Sequence, residues 1–136
     1  MKRLLMFILP IALLTVVACK KDVTRDDFAG TWNATDSYVE ANGTTITESY
    51  TFTVANSSTA EDKISITNFG KLMSALPIEA TVSGNNFTLP TLNITLDSIT
   101  SGTFTGNGSL NDNELTYTYS ISSPSFNRTY NGKATK

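Results

Sequence analysis

From residue 31 onward, apolar and polar side chains change places at almost every step, the two-residue period of a strand with one buried and one wet face. The clearest run is 45–54, where Thr45, Thr47, Ser49, Thr51 and Thr53 alternate with Ile46, Glu48, Tyr50, Phe52 and Val54. The same alternation predicts strands over residues 31–40, 63–68, 78–83, 87–96, 99–110, 114–122 and 126–133, eight in all. No stretch keeps a helical period long enough to matter.

The connections are short, as a meander of hairpins requires. Gly84-Asn85 reads as a two-residue turn that sets Val82 opposite Phe87 and Ala80 opposite Leu89. A four-residue loop over 111–114 pairs Leu110 with Leu115, Gly108 with Tyr117 and Gly106 with Tyr119, laying aromatic rings across bare glycines where the sheet can curve. A loop over 122–125, containing Pro124, pairs Ile121 with Phe126 and Tyr119 with Arg128. In the first hairpin, an Asn42-Gly43 turn would put Trp32, Ala34 and Tyr38 on the threonine face of the next strand. A three-residue loop, 41–43, with Gly43 left-handed keeps the apolar faces together. Trp32 then meets Phe52, Ala34 meets Tyr50, Tyr38 meets Ile46, and Asp36 falls opposite Glu48 on the inward face. The expected fold class is all-β: an eight-stranded antiparallel up-and-down barrel, whose closure removes exposed edges. An open sandwich is the competing arrangement.

Ahead of the strands the pattern changes. Met1-Lys2-Arg3 is basic, and residues 4–17 are apolar apart from Thr15, the layout of an export signal too short to span a bilayer comfortably. Val16-Val17-Ala18-Cys19 resembles the lipobox of bacterial lipoproteins, in which the cysteine is diacylated and becomes the first residue of the mature chain. The organisation expected is a signal peptide over 1–18, a lipidated charged spacer over 19–27 and a barrel domain over 28–136. The spacer is charged at six of its eight positions from Lys20 to Asp27 and resembles the lysine-plus-acidic tags of surface-exported lipoproteins in some diderm bacteria. The resemblance implies anchoring at the outer membrane with surface exposure; a periplasm-facing anchor is the alternative.

Composition narrows the chemistry. Removing the first 18 residues takes Lys2 and Arg3 and leaves eight basic against twelve acidic side chains, a formal charge of −4 with no dense basic patch. Nucleic-acid binding then lacks its electrostatic basis. With no histidine and a single cysteine, Cys/His zinc sites, Ser-His-Asp triads, Cys-His dyads and internal disulfides are excluded. An acidic pair of the glycosidase kind or an oxygen-ligated calcium site stays possible in chemistry, but no calcium-loop motif is present. No cofactor and no enzymatic activity are expected.

Phe28-Ala29-Gly30-Thr31-Trp32 resembles the Gly-x-Trp signature that opens the first strand of lipocalins, and lipocalin-like bacterial lipoproteins often begin their barrel this way after a charged spacer. The resemblance implies that Trp32 closes one end of the barrel against a basic residue of the last strand, for which Arg128 is placed. It runs over most of residues 28–136, without a C-terminal helix or a disulfide, so retinoid or odorant binding is not carried over.

Several residues are candidates for function. Asp36 and Glu48 form an inward carboxylate pair that calls for a cation, a ligand donor or a raised pKa, unless they sit at a wet barrel mouth, are neutralised by Arg128 or Lys71, or are turned outward by a bulge. Tyr38, Tyr50, Phe52, Tyr117 and Tyr119, with Tyr130, Phe87 and Phe104, supply an aromatic interior that either holds a small apolar ligand or fills the lumen. Residues 69–77, the longest non-alternating stretch, either form a lid or plug over the opening or merely cap the core. Asp97-Ser98-Ile99 resembles a bacterial O-glycosylation signal with Ser98 as acceptor. The function expected is a membrane-anchored lipocalin-like barrel that binds or carries a small hydrophobic or amphipathic molecule at the cell envelope. The alternative is a structural or interaction module with a filled barrel contacting a protein or glycan.

Replacing Cys19 with serine should leave an unlipidated, uncleaved precursor, as intact mass would read; normal acylation of that variant would defeat the lipobox reading.

Overall fold

The computed structural model describes residues 22–71, 77–95 and 101–136. Cys19, the signal segment and Ser98 lie outside them, as do residues 72–76 of the lid stretch. The alternating runs become β1 (Gly30–Val39), β2 (Thr45–Asn56), β3 (Lys63–Thr67), β4 (Ile78–Ser83), β5 (Asn86–Thr95), β6 (Ser101–Asn111), β7 (Glu114–Ser123) and β8 (Phe126–Thr135). Each pairs antiparallel with the next, and β8 pairs with β1, so the sheet closes into an eight-stranded barrel. Burial follows the sequence period: in β1 the inward Trp32, Ala34 and Asp36 are buried while the residues between them are exposed. Apolar side chains point in, and threonine, serine and asparagine point out.

The first hairpin has the expected register, with Trp32 opposite Phe52, Asp36 opposite Glu48 and Tyr38 opposite Ile46. Val82 opposes Phe87 across the Gly84-Asn85 turn. Gly106 opposes Tyr119 and Gly108 opposes Tyr117, as the 111–114 loop requires. At Gly108 an added Cβ would lie 2.5 Å from the Phe87 ring, so the missing side chain is the room that ring occupies. In β5 the register slips between Leu89 and Leu92, a bulge that accommodates Pro90, which has no N–H for the ladder.

The last hairpin differs from the sequence expectation. Phe126 opposes Ser123, Arg128 opposes Ile121, and Tyr130, rather than Arg128, opposes Tyr119. Only Pro124 and Ser125 connect the strands; proline's fixed φ suits the first central position of a tight turn, so pairing runs two residues further than a four-residue loop allows. A shift of two leaves every side chain on its original face, so the hydrophobic pattern is the same in both registers.

One end of the barrel is closed by the end of the charged spacer together with Phe28, the first residue of the expected barrel domain. Arg25–Phe28 forms a single helical turn, α1, in which the Asp27 carboxylate accepts from the Thr24 backbone N–H at 2.8 Å and its hydroxyl at 3.0 Å. The Arg25 guanidinium donates to the Ala60 carbonyl at 2.9 Å, pinning the turn to the β2–β3 loop. Phe28 thereby enters the core edge-on to Phe87, and its carbonyl accepts from the Trp32 indole N–H at 2.8 Å. Trp32 is fully buried. The basic group over its ring is Lys136, at 4.7 Å, not Arg128. Register explains this: Asn33 lies level with Thr135, so the end of β8 reaches Trp32 while Arg128, near its start, sits at the opposite rim. Lys136 also donates to the carbonyls of Asp27 at 2.6 Å and Ala29 at 2.8 Å.

Trp32→Ala should cost about 3 to 5 kcal/mol in denaturant unfolding, as removal of a fully packed ring at the barrel closure does; a loss below about 1 kcal/mol would show that the ring closes nothing.

Candidate functional site

The inward parity of β1 carries Asp36 into the middle of the barrel, where it is 2% exposed. Its neighbours follow from pairing: Tyr50 lies two residues along from its β2 partner, and Tyr117 and Tyr119 project inward from β7. All three phenols donate to the carboxylate. Tyr117 donates to Oδ1 at 2.7 Å, and Tyr119 and Tyr50 donate to Oδ2 at 2.7 and 2.9 Å. The Tyr50 oxygen in turn accepts from the Gly70 backbone N–H at 3.0 Å. Gly132 lies opposite both Asp36 and Tyr117, and a Cβ there would run into the Tyr117 ring and the carboxylate. Burial, with the Asp36 charge adding to it, holds all three phenols well above the 10.0 of a free tyrosine. They stay protonated donors, and the carboxylate is satisfied without a cation.

Glu48 departs from the expectation of an inward pair. It shares the register of Asp36 but lies exposed near the mouth, 3.5 Å from the Lys71 ammonium. Phenols, rather than a second carboxylate, fill the space around Asp36.

The lid stretch supplies the remaining filling. Phe69, in the 3-10 turn Phe69–Lys71, is fully buried against Phe52, Tyr117 and Tyr119, with ring centroids 5.3, 4.9 and 5.4 Å away. Asn68, Gly70 and Lys71 all hold positive φ, which bends the chain sharply enough to drop one ring into the lumen. At Gly70 the bend also passes close to the Tyr119 hydroxyl, 3.1 Å from where a Cβ would sit. Phe52, Tyr117 and Tyr119 are therefore packing partners of Phe69.

The other predicted residues sit at the rim. Tyr38 and Tyr130 are half-buried with ring centroids 5.0 Å apart, and Tyr130 stacks on Tyr119 at 4.6 Å. The Arg128 guanidinium lies over the Tyr38 ring at 4.0 Å and the Phe126 ring at 4.7 Å. On the outer wall, a shallow groove of about 700 Å³ runs across β1, β8, β7 and β6, lined by Thr35, Ser37, Asn107, Thr116, Thr118 and Asn131. Among the described residues no three Asp, Glu, Cys or His side chains converge as metal ligands.

Three participants escaped the sequence reading: Phe69 as core, Lys136 as the partner of Trp32, and Gly132 as the space for Tyr117. The third had a signal. Gly132 alternates with Tyr130 and Ala134 on the inward face of the last strand, the same glycine-under-aromatic pattern read correctly in β6.

Asp36→Ala leaves three buried phenols without their acceptor and should cost about 3 to 5 kcal/mol in urea unfolding, with Asp36→Asn costing less because one acceptor survives. Alkali gives an independent check. The unfolded phenols ionise near 10.0 while the native ones do not, so above that pH the native state holds more protons. Stability should be fully present below about pH 10 and fall above it, by up to about 1.4 kcal/mol per pH unit for each of the three; a flat urea midpoint between about pH 9 and pH 11 would contradict the network.

No protein-family model matches the chain, and no curated protein does. In fold it is similar to a crystal structure from Bacteroides fragilis described as a "putative outer membrane protein", with a TM-score of 0.50 and 17% identity over 82% of this chain. The chain spans 52% of the length of that protein, about half. At that identity the likeness is one of backbone path alone.

Proposed function

We propose that this chain is a non-enzymatic envelope lipoprotein, tethered to the outer membrane through Cys19, whose barrel is a packed module acting through its surface on a protein or glycan partner. The observation that carries the reading is the filled lumen: Phe69 occupies the space among Phe52, Tyr117 and Tyr119 that a ligand would need, and Asp36 already has three donors. The outer wall supports a barrel that rests on a membrane rather than within it. Threonine, serine and asparagine face outward, where a lipid-facing wall needs an apolar band. Val39 is the exposed large hydrophobic among the described residues. The polar groove over β1, β8, β7 and β6 offers a partner hydroxyls and amides. The lipobox resemblance supports the tether, and the name of the similar B. fragilis structure agrees with an envelope location.

A lipocalin-like carrier of a small apolar molecule is the second reading, favoured by one feature. Phe69 comes from a turn outside the sheet, and its withdrawal would vacate space beside Asp36 without breaking a strand pair.

Native mass spectrometry of the mature protein from its own bacterial host, before and after organic extraction, separates the two. The expected mass is that of the acylated chain in both cases. A small molecule retained at unit stoichiometry and removed by extraction would overturn the packed module in favour of the carrier.

A further inference from the structure

Arg128 stands apart from the other described basic residues that meet aromatic rings. Lys136 over Trp32 spends its ammonium on two carbonyls, and Lys71 near Tyr50 spends its own on Glu48. Arg128 lies against two ring faces, Tyr38 and Phe126, and among the described residues no carboxylate is within ion-pair distance of it. Stacking uses the faces of a guanidinium and leaves its hydrogen-bonding edge, so a stacked arginine is a fork already oriented for a planar acceptor. The Tyr130 hydroxyl takes one hydrogen bond from that edge. The position is at the rim opposite the closed end, partly exposed, where solvent and solutes reach it.

We propose that Arg128, Tyr38 and Phe126 form a rim site for a monocarboxylate carried on an apolar or aromatic body. The fork takes the carboxylate bidentately, and the body lies on the half-buried rings of Tyr38 and Tyr130 with Ile46 beside them. The rings set the selectivity: inorganic phosphate has no apolar body to lay on them, so a planar monoanion that carries one is preferred. The site lies at the barrel mouth, on inward-facing side chains nearer the rim than Asp36, and it does not depend on the tether argued for the proposed function.

The test is an NMR titration of the full chain in detergent micelles with sodium benzoate, inorganic phosphate and neutral benzyl alcohol as probes. Benzoate should shift the Arg128 Nε–H and the Tyr38 and Phe126 ring signals saturably, with a dissociation constant on the order of 1 mM. The Trp32 indole signal, at the far end, should stay fixed and report that each variant is folded. Arg128→Gln should abolish the saturation, and Arg128→Lys, which keeps the charge but loses the fork, should weaken it roughly tenfold. Equal shifts from benzyl alcohol would overturn carboxylate recognition, and competition by phosphate at the same concentration would overturn the preference for a planar monoanion. Shifts centred on Phe69 and Tyr117 would place the ligand in the lumen, overturning the rim site and the packed module together. Absence of any saturable shift at the rim, with benzoate well above the expected constant, would overturn the rim site alone.

Discussion

A carboxylate enclosed by a barrel wall must be answered from inside the barrel, and the answer to Asp36 orders much of the molecule. Its donors come from β2 and β7, while the ring carrying one of them needs the space left by Gly132 on β8. One acid thus ties together both strands that flank β1 and the strand beyond the closing seam. A buried charge with neutral donors gains nothing from slipping register, because each shift strands a phenol and the carboxylate at once. That requirement adds a polar reason for the closure of β8 on β1 to the apolar one.

The same network sets what the interior can be. Tyr50 bridges the carboxylate and the Gly70 amide, so the turn that delivers Phe69 is fastened to the group at the centre of the barrel. Aromatic rings then meet at centroid distances between 4.9 and 6.2 Å around Phe69. A lumen that the tyrosine and phenylalanine content alone leaves open to either use is occupied by the protein's own side chain.

Much of this was readable from the sequence because a strand's period is two. Alternation locates all eight strands, and the registers it implies for the β1–β2, β4–β5 and β6–β7 hairpins agree with the structure, including Asp36 opposite Glu48. The β7–β8 register was misread by two residues, a shift to which a period of two is blind. Contacts with no period at all were the hardest. Phe69 reaches the core from a turn, Phe28 from a short helical turn ahead of the first strand, and Lys136 reaches Trp32 only through the pairing of the last strand with the first. Glu48 shows that inward parity can still mean water: it shares the register of Asp36 yet lies exposed beside Lys71, the wet arrangement that the sequence left open.

The chain enters β1 at the closed end, through a turn that Arg25 and Lys136 hold to the loops and strand ends around it. A pull on the segment ahead of Thr24, directed away from that end, therefore acts along the axis of β1. It first meets the clasp of Lys136 on the Asp27 and Ala29 carbonyls. Beyond the clasp, β1 is flanked on both sides by paired strands, so the load is shared in shear across two ladders at once and cannot peel one bond at a time. The strand nearest the point of traction is also the one bearing Asp36, so mechanical strength and the internal polar network are built into the same ten residues.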